Sequence, residues 1–102
     1  MLYVYYLYNS FMGVLMEFTF DPAKNDANLR KHGIDLADIE GVFHDQNAIT
    51  IEDRDHKEQR FLTLGIDDFG RLLVVCYTYR GYSIRAISAR KAESHERKAY
   101  EG

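Results

Sequence analysis

Three arginines, Arg80, Arg85 and Arg90, stand within eleven residues near the end of the chain, the last two inside "SIRAISAR". A regular strand over this stretch sets Arg85 on the face shared with Ile87 and Ala89 and turns Arg90 to the opposite face. A guanidinium in such an apolar setting needs a carboxylate or a phosphate for its fork of donors. An internal ion pair or a ligand phosphate would each satisfy Arg85, and one of the three arginines is expected to be structural. Upstream, "DHKEQR" places His56, Glu58 and Arg60 at alternate positions. If a strand begins early there, they share a face on which a base could take a proton beside a fixed positive charge. A solvated charged loop without chemistry has the same composition. Lys24 and Lys31, seven residues apart, would lie nearly in line along a helix, as a phosphate grip or simply as a soluble surface. His32, just before Gly33, suits a helix C-terminus at least as well as a catalytic role.

The charge of the whole chain sharpens the reading. The formal net charge is -3, yet residues 59–102 carry 8 Lys/Arg against 5 Asp/Glu, whereas residues 1–58 carry 5 against 11. Such polarity either pairs internally or leaves a basic surface for an anionic partner, nucleic acid above all. Several other chemistries have no motif here: the chain lacks a Walker loop, GxGxxG, CxxC and HExxH, and its four histidines do not take helical zinc spacing. No cofactor or metal is expected. The single cysteine, Cys76, sits in the apolar run "LLVVCY" and reads as a buried, reduced thiol, which agrees with a cytoplasmic protein.

With 102 residues the chain is sized for one domain, and 46% hydrophobic with 28% charged residues is the balance of a globular protein rather than a disordered one. The opening "MLYVYYLYNSFMGVL" is too short to span a membrane as a helix and lacks the flanks of a signal peptide. Residues 1–15 therefore read as an apolar extension, either an added edge strand or a segment preceding a natural start at Met16, and residues 16–102 as the domain proper.

The elements that must position the charged groups follow from local pattern. "EFTF" alternates as a short strand. Asp21 as N-cap, Pro22 at the first position and Gly33 as stop frame one helix, and Asp35 opens a second over Leu36–Phe43. "AITIED", "RFLTLGI", "RLLVVCYTY" and "SIRAISAR" read as four strands, with "DDFG" and "RGY" as turns and "RLLVVCYTY" as a central strand covered on both faces. A terminal helix runs roughly over Glu93–Tyr100. The order is β-α-α-β-β-β-β-α: an α+β domain whose antiparallel sheet carries two N-terminal helices on one face.

Taken together, "FTFDPAKNDANLRKHGIDLADIEGVF", "EQRFLTLG", "LLVVCYTYR" and "IRAISARKAESHERKAY" resemble the BrnT family, ribonuclease toxins of type II toxin-antitoxin systems with a RelE-like fold. The D-P-x-K, N-x-x-K-H-G, E-x-R-F and R-x-I-S-A-R-x-A elements occur in order, and only residues 1–15 depart from the pattern. The resemblance implies a toxin that cleaves RNA and so inhibits translation, and because the 2'-hydroxyl of RNA can itself attack phosphorus, a metal-independent endoribonuclease is expected. It also implies a BrnA-like antitoxin, the pair binding its promoter through that partner. Glu58, Arg60, Arg80 and Arg85 are the expected catalytic set, with Glu58, or else His56, as base. Lys24, Lys31, Arg90 and Lys91 are expected to hold RNA, with Tyr79, Tyr82 or Tyr100 as stacking surfaces. A nucleic-acid-binding module without catalysis, such as a corepressor, and a protein-docking module remain the alternatives.

Overall fold

The computed structural model describes the backbone of residues 3–9 and 14–102, and side chains from Met16 onward. Strand β1 (Tyr3–Asn9) leads to β2 (Val14–Phe20), helix α1 (Pro22–His32), two short 3-10 turns (Leu36–Asp38 and Glu40–His44), strands β3 (Ile49–Asp53), β4 (Arg60–Ile66), β5 (Leu72–Arg80) and β6 (Ser83–Lys91), and helix α2 (Ser94–Glu101). The strands form one sheet in the order β1-β2-β6-β5-β4-β3. Strands β3 to β6 are the expected antiparallel meander, but β2 joins β6 in parallel and β1 adds a further antiparallel strand outside it. The first strand is thus longer than "EFTF", and the expected element order lacks a strand.

Local chemistry explains the ends of α1. The Asp21 carboxylate accepts from the Ala23 N–H at 2.9 Å, Pro22 occupies the first turn, and Gly33 closes the helix at φ 70°, its N–H donating to Leu29. The expected second helix is not formed. Asp35 does cap its start, through the Ala37 N–H, but the segment breaks at Ile39 into two 3-10 turns. Gly41 lies so close to the following hairpin that an added Cβ would meet Asp68 at 2.6 Å, so tight packing and a poor helix former coincide there. Its apolar positions are buried as expected: Leu36, Ile39 and Val42 are fully enclosed.

Those residues, with Ile34, cover one face of the sheet, where Phe18, Phe20, Leu73, Val75, Tyr77 and Ile84 meet them in the main core. On the other face Leu64, Leu72 and Val74 form a smaller cluster beneath Tyr100 of α2. Strand β5 is therefore covered on both faces along its first half, as its continuous hydrophobicity implies. The "DDFG" turn is also as expected: Gly70, at φ 77°, donates to the Asp67 carbonyl, and the buried Asp67 carboxylate takes the Arg71 guanidinium at 2.7 Å.

One irregularity rearranges the arginines. Ser88 lies opposite Cys76 and Ala86 opposite Tyr77, which leaves Ile87 without a partner as a β-bulge. The extra residue resets the alternation. Arg85, opposite Thr78, and Arg90, opposite Val74, consequently share a face, while Ala86 and Ala89 turn to the main core. This reverses the expectation from a regular strand, which separated Arg85 from Arg90 and joined it to Ala89.

Candidate active site on the second face of the sheet

Register places a row of polar side chains across the second face. Asp53 of β3 is opposite Arg60 of β4, Thr78 of β5 is opposite Arg85 of β6, and Thr19 of β2 is beside Arg85. Arg60 follows one step from the Phe61–Tyr77 pair, so it flanks Thr78 on the side away from Arg85. Two inter-strand spacings separate the arginine backbones, roughly 10 Å, which lets two long guanidinium side chains converge on one small anion. Thr78 and Thr19, the register neighbours of Arg85, are buried, Thr78 donating to the Gln59 carbonyl at 2.6 Å and Thr19 to the Ile84 carbonyl at 3.4 Å.

The two arginines differ in their partners. Arg60 Nε faces Glu58 Oε1 at 3.5 Å, and Glu58 Oε2 faces Arg80 Nη2 at 3.6 Å, so one exposed carboxylate lies between two cations. Arg85 has no carboxylate within ion-pair distance among the described residues, and its buried Nε lacks a hydrogen-bond acceptor there. The sequence left Arg85 between an internal ion pair and a ligand phosphate. Among the described residues the geometry supplies no internal ion pair for it and leaves its Nε without a partner.

Other expected site residues fall elsewhere. Arg90 is held by both oxygens of Glu96, at 2.7 and 2.8 Å, and so fastens α2 to the sheet as the structural member of the three. That guanidinium pair keeps the Glu96 carboxyl at about 2, and raises the Arg90 pKa in turn. Lys91 is exposed at the far end of β6, roughly 20 Å along the strand from Arg85. Tyr100 donates to Asp45 at 2.6 Å and is part of the packing of α2. Tyr79 stacks edge-on against Phe61 and Tyr77, whereas Tyr82 stands 94% exposed at the tip of the β5–β6 hairpin beside Arg80. Strand β4 begins only at Arg60, so His56 and Glu58 belong to the preceding loop. His56 Nε2 lies 3.3 Å from Asp53. Lys24, Lys31 and His32 line a cleft between α1 and β6.

Cys76 is half-buried rather than enclosed, and faces this site between Leu62 and Ser88. Burial pushes its thiol pKa up, with Arg60 opposing and Asp53 and Glu58 reinforcing the shift. Asn28 is the residue whose role pattern reading missed. Its side-chain amide donates to the carbonyls of Ile34 and Ala89, both at 2.9 Å, and accepts from the Ala89 N–H at 3.1 Å. It thereby pairs with β6 as a strand would, just beyond the end of β2. Its place in "NLRKHG" was the only signal. Among the described residues, no helix is long and apolar enough to cross a membrane and no three potential ligands gather to hold a metal ion.

Known proteins resemble this chain in sequence and in fold. A sequence model described as "Ribonuclease toxin, BrnT, of type II toxin-antitoxin system" matches residues 20–96. The crystal structure of the ribonuclease toxin BrnT of Brucella abortus superposes with a TM-score of 0.61 at 24% identity, covering 74% of this chain and 94% of that one. A search of curated proteins returned no significant match. Both the strand that supplies Arg60 and the strand that supplies Arg85 lie inside the matched span, and the chain belongs to the BrnT family of ribonuclease toxins of type II toxin-antitoxin systems.

Proposed function

We infer that the row Arg60–Thr78–Arg85 binds the scissile phosphate of RNA and that Glu58 is the base, in a cleavage that needs no metal ion. The observation that carries this reading is Arg85, a half-buried guanidinium with an unpartnered Nε among the described residues, aimed into the same row as Arg60. RNA supplies its own nucleophile. Deprotonation of the 2'-hydroxyl lets its oxygen bond to phosphorus as the bond to the 5'-oxygen breaks, giving a 2',3'-cyclic phosphate and a 5'-hydroxyl. The chemistry requires a base and cations on the non-bridging oxygens as charge builds on the phosphorane. Arg60 and Arg85 supply the cations from either side. A phosphate between them draws Arg60 away from Glu58 and so frees that carboxylate to take the proton, while Arg80 keeps it in place. The departing oxygen takes a proton from solvent.

Glu58→Gln is expected to slow cleavage about 10²-fold or more with RNA affinity unchanged, because the amide keeps the volume without accepting the proton. Cleavage by the unmodified chain should persist in EDTA and leave cyclic phosphate ends. Loss of activity in EDTA with 3'-hydroxyl products would overturn the mechanism. RNA binding with no cleavage by any form would favour the corepressor reading instead.

The reading further implies action in the cytoplasm on cellular RNA and neutralisation by a BrnA-like antitoxin covering this face, the complex reaching promoter DNA through that partner. Residues 16–102 would suffice for toxicity. The family match lies within them, as do the core side chains among the described residues, and β1 contributes an outer strand. A chain beginning at Met16 is expected to fold and cleave RNA at the full rate. Failure of that chain to show a cooperative thermal transition would make β1 integral.

A further inference from the structure

The unpaired Ile87 of the bulge lines a second concavity. Beside Ile87 and Ser88 lies a cleft of about 310 Å³ whose opposite wall is α1, contributed by Lys24, Ala27, Lys31 and His32. Its volume is at the small end of the range for ligand sites and suits one nucleotide rather than a helix or a peptide. Chemistry points the same way. Ile87 and Ala27 offer an apolar surface on which a base can lie. Lys24 and Lys31 are two helical turns apart, roughly 10 Å, and place a positive charge at each end of it. Ser88 and His32 add groups able to donate to or accept from a base edge.

The position is equally telling. Ile87 is two residues beyond Arg85 on the same strand, roughly 7 Å, a separation comparable with one step of an extended RNA backbone. Ser88 keeps the register of Cys76 and therefore the face of the proposed active site. The α1 wall is held against β6 by two hydrogen bonds between Asn28 and Ala89, and a third from Asn28 to the Ile34 carbonyl ties down the segment after the helix, so the cleft is built by packing and not by a mobile loop. We propose that this cleft binds the nucleotide adjacent to the scissile phosphate in single-stranded RNA and sets the sequence preference of cleavage. The proposal rests on the ribonuclease reading for its substrate, but concerns binding and can be tested without turnover.

The test uses the full chain carrying Arg85→Ala, in which cleavage is disabled, labelled for amide NMR. Titration with AMP, CMP, GMP and UMP should shift the amides of Lys31, Ile87 and Ser88, one base giving shifts at lower concentration than the others, while inorganic phosphate alone gives little. In the same background, the exposed pair Lys24→Glu and Lys31→Glu should weaken binding of a single-stranded RNA oligomer tenfold or more by fluorescence anisotropy. In the active chain, Ile87→Ala should change which nucleotide neighbours the cut, read by sequencing product ends, with the total rate less affected. Equal shifts by inorganic phosphate and all four nucleotides would reduce the cleft to an anion site and overturn the proposal, as would folded charge-reversal protein with unchanged RNA affinity. If the active chain never cuts RNA yet the nucleotide shifts appear, the catalytic reading fails and the cleft stands. If cleavage is confirmed and the shifts fall only around Arg60 and residue 85, the cleft fails alone.

Discussion

Arg85→Ala is expected to reduce RNA cleavage by 10²-fold or more while the protein stays folded. The size follows from when the guanidinium is needed. A preorganised donor aimed at the phosphate is worth most when the phosphorane carries its extra charge, so its loss falls on the rate more than on ground-state binding. The preserved fold follows from the partners of Arg85. Among the described residues it forms no ion pair, and its Nε has no acceptor, so truncation breaks no internal salt bridge. What is lost is the packing of its half-buried stem, about 1 kcal/mol. Arg85→Lys keeps a charge but cannot present two parallel donors, and should recover only a small part of the rate. Single-turnover rates on a labelled RNA, with circular dichroism melts of each variant, check both halves of the expectation. A variant that melts far below the parent would make Arg85 a structural residue, and one that cleaves normally would remove it from the mechanism.

Asn28→Ala is expected to cost about 3 kcal/mol of stability, from three buried hydrogen bonds whose backbone partners would be left unsatisfied. For a domain of this size that is a fall in Tm of more than about 10 °C. The apolar face of α1 cannot compensate. Its only fully buried side chain is Asn28 itself, and Leu29 is 45% exposed. The helix is fastened by amides, since Asn25 also donates to Asp35 and accepts from the Leu36 N–H, both at 2.8 Å. Asn28→Asp should be worse still, because a carboxylate keeps the acceptor for Ala89 N–H but faces two carbonyl oxygens where the amide donated. Thermal denaturation measures both variants. An unchanged Tm for Asn28→Ala would show that α1 is docked by other contacts.

Much of this architecture was legible in the chain because it is encoded locally. Asp21, Pro22 and Gly33 bracket α1 through bonds that span only a few residues, and "DDFG" closes its hairpin the same way. The meander from β3 to β6 was readable as apolar runs separated by turn residues, and the charged motifs of "EQRF" and "IRAISAR" offered Glu58, Arg60 and Arg85 as candidates. The second helix was misread for the opposite reason. Leu36, Ile39, Val42 and Phe43 have helical spacing and are buried or partly buried, but burial periodicity is shared by helices and 3-10 turns, and the choice was made by the approach of the Asp67–Gly70 turn to Gly41.

The sequence by itself determined the candidates for chemistry: a surplus of arginines late in the chain, one carboxylate spaced two residues from Arg60, and no cysteine or histidine motif competing with them. Only the tertiary structure decided their faces and partners. A single unpaired residue, Ile87, turned Arg85 toward Thr78 and Arg90 toward Glu96, because in a strand of period two one extra residue exchanges every later side chain between faces. Whether that residue pairs depends on β5 alongside it and on α1 beyond the end of β2. Those neighbours are fixed by contacts between positions as far apart as Asn28 and Ala89, which no local pattern in the chain contains.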